Sequence, residues 1–162
     1  MLKPIIQTEA EVLEQVVKYL LFDSRVIIAK RINSGILKSK MFARSVRHIK
    51  QGNNLHDIDS MKTCDIEGML IDGRKLMIEV KSGNFKLQKS DNYLIDALLL
   101  KDKRKQKQIE VGKKQPESEK ERVFWQKVAI DTCNQYGGVA GFVTSIADVG
   151  KLLDDAFKES KL

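Results

Sequence analysis

The sequence predicts a mixed α/β domain, and three patterns predict it. An amphipathic helical stretch opens the chain, and two β-prone runs meet at Asp72-Gly73-Arg74. A long helical stretch, a Gly-Gly, an apolar run and a last amphipathic stretch close it. Helices alternating with short apolar strands around one hairpin give a mixed central sheet flanked by helices. The 162 residues, 42% of them hydrophobic, suit a single domain over 1–162 with its own core.

Thr8 and Glu11 form a capping-box pattern, so the first helix starts there and runs to about Leu21. Val12, Val16 and Leu20 make its buried stripe, with Glu11, Glu14 and Lys18 on the wet face. Carried back one turn, the stripe lands on Glu9. That residue is either an acid stabilised by the helix dipole or a carboxylate facing a cleft. Arg25 to Ile32 is β-branched and reads as a strand, followed by turn chemistry in Asn33, Ser34 and Gly35. Ile36 to Ile49 fits an extended excursion or a basic hairpin, and Gln51 to Asn54 a turn. Asp65 to Ile71 and Lys75 to Lys81 flank an Asp-Gly turn, a strong hairpin signal. Ser90 or Asp91 caps a helix over Tyr93, Leu94, Ala97 and Leu98. A long helix follows from about Glu117 to Tyr136, ended by Gly137-Gly138. Val139 to Thr144 is a buried-type strand. Ser145 and Asp148 start a last helix with Val149, Leu152, Leu153 and Phe157 on one face.

The net charge is +7, from 29 Lys+Arg against 22 Asp+Glu. Basicity favours a polyanionic partner, above all nucleic acid. Between Lys101 and Arg122 there are nine basic and five acidic residues, so this short segment carries over half the surplus. It reads as a mobile basic loop or a fraying helix extension. In function it is either a solvated linker or an arm touching phosphates through residues such as Lys103, Arg104, Lys105 and Lys107. Two cysteines, Cys64 and Cys133, exclude a disulfide scaffold and a Cys-rich zinc module, and point to a reducing compartment. No apolar run is long enough for a membrane span, the first residues do not form a secretory signal, and no Gly-rich loop resembles a phosphate-binding P-loop.

The chemistry concentrates in the hairpin. Leu76, Ile78 and Val80 point one way, which puts Met77, Glu79 and Lys81 on the opposite face. With the turn at Asp72 to Arg74, Asp65 falls beside the strand end carrying Glu79 and Lys81, and Glu67 shares its face. Two carboxylates and a backbone carbonyl suit Mg²⁺, which takes oxygen ligands and keeps several waters. The plainer reading is a surface strand with an ion pair between Glu79 and a neighbouring lysine. His48 and His56 show no zinc spacing, and Asp57 and Asp59 read as loop acids.

These residues resemble the PD-(D/E)XK, restriction-endonuclease-like superfamily, and within it the VRR-NUC (virus-type replication–repair nuclease) family. Arg31, Asn33 and Gly35 match that family's Arg-x-Asn-x-Gly stretch; Asp65 and Gly68 match its Asp and following Gly. Gly73 matches its turn, and Glu79-Val80-Lys81 its E-V-K strand end. Gln126 stands the family distance before Gly137-Gly138, and Val139 to Asp148 resembles the closing strand with its Ser and Asp-Val. The resemblance spans about residues 8 to 154. It departs from the family at Cys64, which replaces a proline, and at Glu67, which replaces an apolar residue. It also departs at a basic insert of about 84–118 after the E-x-K strand.

The resemblance implies a restriction-endonuclease-like core and a Mg²⁺- or Mn²⁺-dependent DNA endonuclease. Asp65, Glu79 and the Val80 carbonyl would hold the metal, Lys81 would position the attacking water, and Gln126 would brace Lys81 or that water from the adjacent helix. Glu9 fits the family's early helical Glu, with a role at the metal or behind its ligands. Arg31 and Asn33 would join the basic insert in contacting nucleic acid. The family also implies a homodimer, branched DNA of the Holliday-junction kind, and a cytoplasmic setting in a bacterium or phage-infected cell. A nuclease-like fold that binds DNA without cutting is the alternative, and an adaptor whose insert docks an acidic protein is a third.

Overall fold

The structure, a computed structural model, describes residues 6–32 and 64–159. Its elements are α1 (Glu9–Phe22), β1 (Val26–Arg31), β2 (Ile66–Leu70), β3 (Lys75–Val80), α2 (Tyr93–Val111), α3 (Glu119–Gln135), β4 (Val139–Val143) and α4 (Ile146–Glu159). The four strands form one mixed sheet in the order β1-β2-β3-β4. β1 and β3 run antiparallel to β2, and β4 runs parallel to β3. This is the mixed sheet with flanking helices that the sequence predicts.

α1 begins at the expected capping box. The Thr8 hydroxyl accepts from the Glu11 N–H, and the Glu11 carboxylate accepts from the Thr8 N–H at 2.8 Å. At the other end Asp23 gathers Arg25 through Nε at 2.9 Å and Nη2 at 2.8 Å. That pairing holds the Asp23 carboxyl down to about 2. The same guanidinium reaches Asp154, tying the end of α1 to α4. The hairpin closes at Gly73, whose φ of 85° suits a residue without Cβ. Arg74 carries the hairpin tip to α4, donating to the Ala156 carbonyl at 3.1 Å and lying 5.1 Å over the Phe157 ring.

β3 is the spine of the sheet. Leu76, Ile78 and Val80 are fully buried against α1 and α4, together with Val12, Val16, Leu20, Val149 and Leu153. Each such side chain contributes roughly 1.5–3 kcal/mol on burial. The opposite face is covered as well: Met77 packs with Ala129, Ile130 and Ala140 under α3. The surface-strand reading of β3 therefore fails, because α3 lies over the face that carries Glu79 and Lys81. Gly68 lets β1 and β2 close up, since a Cβ there would stand 2.3 Å from the Ile28 carbonyl oxygen.

The basic segment is mostly helix. α2 runs unbroken from its Asn92 cap, not from Ser90 or Asp91, to Gly112, and packs on α3 through Ala97, Phe124 and Trp125. The helix-extension reading holds through Val111, while residues 112–118 form the link to α3. Glu121, only 1% exposed, takes the Arg104 guanidinium on both oxygens at 2.9 and 3.0 Å. Among the described residues no helix is long and apolar enough to cross a membrane.

Breaking that pair strands a buried carboxylate. Arg104→Ala is expected to lower the unfolding free energy by about 2–4 kcal/mol, below the top of the usual range because the guanidinium still meets water. Lys107→Ala, on an exposed site, should change it by less than about 0.5 kcal/mol. Denaturant titration of the two variants checks both.

Candidate active site

The register of β2 on β3 pairs Ile66 with Ile78, so Asp65 falls opposite Glu79 at the end of the hairpin. Asp65 is held from both sides. Its carbonyl accepts from the Ile32 N–H at 2.7 Å, and its carboxylate Oδ2 accepts from the Val80 N–H at 2.9 Å. The neighbouring Cys64 is fully buried, and burial with the charges of Glu79 and Asp65 pushes its thiol up. Its side chain packs with Met77, Ala129, Ile130 and Ala140.

Glu79 is 2% exposed and Lys81 4%. The Lys81 Nζ donates to Glu79 Oε1 at 2.8 Å, and the Gln126 Nε2, arriving from α3, donates to the same oxygen. Glu79 Oε2 is buried without a partner, as is Gln126 Oε1. Burial first, and then the charge of Asp65, push the Glu79 carboxyl up to about 7, against the opposing pull of Lys81. Glu9 adds a smaller like-charge effect from the first turn of α1. A backbone bond from the Gly83 N–H to the Gln7 carbonyl, 3.3 Å, brings the start of that helix beside the chain leaving β3.

Two crowded carboxylates, one with a buried and unanswered oxygen, form a donor set that fits a hard divalent cation. Asp65, Glu79 and the Val80 carbonyl are the residues that would hold such an ion. Among the described residues no group of three or more His, Cys, Asp or Glu converges.

The sequence-based candidates thus divide. Asp65, Glu79, Lys81 and Gln126 come together, with Val80 joined through its backbone. Glu9 is exposed and acts on Glu79 through space. Arg31 is exposed at the end of β1, paired in register with Ile66 next to Asp65. Lys103, Lys105 and Lys107 are exposed on α2, whereas Arg104 is committed to Glu121. Glu67 leaves the site for Lys75, 3.8 Å away. Asn33, Gly35, His48, His56, Asp57 and Asp59 lie outside the described residues.

Phe85 escaped the sequence reading. Its ring lies 5.8 Å from the Lys81 Nζ and 5.3 Å from the Phe142 ring, so the ammonium rests against an aromatic wall. A lone Phe after the E-x-K strand carries no local signal of this. Trp125, beside Gln126, is core at 3% exposure. Compared with protein families, curated proteins and solved structures, the chain matches none.

The raised Glu79 pKa has a sign in stability. The unfolded chain releases this proton near pH 4.5 and the folded chain near 7, so folding stability falls as pH rises between them. Relative to Glu79→Gln, the metal-free wild type should lose on the order of 2 kcal/mol across that window. Added Mn²⁺ should restore it at pH 7 in the wild type alone. Thermal melts across pH, with and without Mn²⁺, read this directly.

Proposed function

We propose that the chain is a Mg²⁺- or Mn²⁺-dependent endodeoxyribonuclease with a restriction-endonuclease-like core, hydrolysing phosphodiester bonds in branched or otherwise structured DNA. One observation carries the reading: a buried Glu79 with an unpartnered Oε2, facing Asp65 and held by Lys81 and Gln126. The VRR-NUC resemblance of the same residues supports it, as does the positive charge of the chain. A homodimer resembling Holliday-junction resolvases belongs to the proposal. So does a cytoplasmic setting in a bacterium or phage-infected cell, which suits two free cysteines.

A divalent cation bound here supplies charge neutralisation at the phosphate and a water of lowered pKa. Asp65, pinned by the Val80 N–H, presents one carboxylate oxygen at a fixed position. Glu79 presents Oε2, its rotamer set by the Gln126 amide. The Lys81 ammonium orients the attacking water by donation and answers negative charge building on the phosphoryl oxygens. Phe85 walls the ammonium. Arg31, Lys103, Lys105 and Lys107 attract the DNA backbone, and Arg104 serves that surface by holding α2 on α3.

The deciding assay is cleavage of a labelled four-way junction and a matched duplex with Mn²⁺ or Mg²⁺. Metal-dependent cutting is expected, reduced ~100-fold or more in Asp65→Ala and Glu79→Ala. Salt-sensitive binding of DNA with no cutting at any metal concentration would favour the non-catalytic module. No cutting of any DNA form, with the variants indistinguishable from wild type, sinks the nuclease reading.

A further inference from the structure

We infer that Phe85 is a positioning residue of this site: its ring, backed by Phe142, holds the Lys81 ammonium over Glu79 and keeps it out of water. The placement of the ammonium is a matter of geometry alone; its bearing on catalysis rests on the nuclease reading. Lys81 ends the β3 ladder, its N–H donating to the Val143 carbonyl at 2.9 Å. The backbone is therefore fixed, while the four-carbon stem beyond it keeps its rotamer freedom. Glu79 takes the ammonium on one oxygen, 2.8 Å away, and that oxygen is shared with the Gln126 amide. An ammonium has three donors, and one shared oxygen leaves its orientation undetermined. Lys81 is nevertheless only 4% exposed, so another group closes it off.

The turn after the strand supplies that group. The Phe85 N–H donates to the Ser82 carbonyl at 3.0 Å, and Ser82 Oγ donates to Asn84 Oδ1 at 2.7 Å. The Gly83 N–H is tied to the Gln7 carbonyl at 3.3 Å. The chain thus doubles back after Lys81 and lays the Phe85 ring 5.8 Å from Nζ. A second strand fixes the ring. Phe142 on β4 pairs with Glu79 in register, and its ring stands 5.3 Å from that of Phe85, tilted by 43°. The ammonium is held between a carboxylate and the negative face of a ring. Both phenylalanines are partly buried, and a ring attracts a cation more strongly where water is excluded. An aliphatic side chain of similar bulk fills the space but offers the cation nothing, so the stem is free to swing Nζ into water.

The test reads Lys81 directly, in the full chain without metal or DNA, by brief reductive methylation and peptide mass spectrometry. Phe85→Leu and Phe85→Met keep apolar bulk and remove the ring, while Phe85→Tyr keeps the ring. Lys101, buried against Trp125, reports whether the fold has loosened. Methylation of Lys81 should rise about threefold to tenfold in the two ringless variants, with Phe85→Tyr at the wild-type rate and Lys101 unchanged in all three. Junction cleavage by the ringless variants should lose kcat by a similar factor at unchanged KM, and Phe85→Tyr should restore it. Lys81 as well protected in both ringless variants as in the wild type overturns the inference. So does a matching rise at Lys101, which would make Phe85 an ordinary packing residue, or a loss that Phe85→Tyr fails to restore. A wild type that cuts no DNA sinks the nuclease reading and leaves the labelling result standing. A wild type that cuts, with ringless variants that label and cut as it does, sinks only the role of Phe85.

Discussion

A carboxylate can stand at the centre of a protein only if something answers its charge, and Glu79 imposes that condition here. It sits on a strand covered on both faces, where water cannot solvate it. Lys81 and Gln126 answer one oxygen and leave the other open. Everything placed nearby is arranged around that partial answer. Asp65 adds a second negative charge instead of relieving the first, and its own position is fixed by the Val80 N–H. A purely structural ion pair gains nothing from such crowding, which raises the cost of ionising Glu79.

The layers of the fold follow from the same strand. α1 and α4 press on Leu76, Ile78 and Val80, so that face of β3 is ordinary apolar core. α3 covers the other face and delivers the Gln126 amide onto Glu79. α2 touches the chemistry at one remove, by packing on α3. Its hold is built around Ala97, Phe124 and Trp125 and is reinforced by Arg104 on the buried Glu121. α2 is thus an outrigger on the helix that carries Gln126.

Much of this was legible because local rules coincide with tertiary placement. The Thr8–Glu11 box, the Asp72-Gly73 turn, the Gly137-Gly138 stop and the Ser145–Asp148 start are all short-range patterns, and each stands where the sequence puts it. The hairpin register follows from its turn, so Asp65 opposite Glu79 could be counted off in advance. What escaped depends on elements distant in the chain. Whether the Met77 face of β3 is wet or dry is decided by α3, not by β3. The lysines and glutamines after Leu100 have good helical propensity, but their charge density looks the same in a loop. Arg104 and Glu121 meet only across the turn between two helices, and Phe85 meets Phe142 only because β3 and β4 run parallel.

That parallel pairing has a consequence for biogenesis. β3 and β4 are adjacent in space, yet the whole of α2 and α3 lies between them in the chain. An antiparallel hairpin such as β2–β3 can close as soon as it leaves the ribosome, whereas the crossover must wait for the second helix and the last strand. Gln126, and Phe142 beside Phe85, arrive with that final closure. A nascent or prematurely terminated chain therefore holds Asp65, Glu79 and Lys81 without the Gln126 amide and without the cover of α3. The buried cluster around Glu79 is therefore completed late and in one step, and a fragment that stops before α3 leaves this face of the hairpin uncovered.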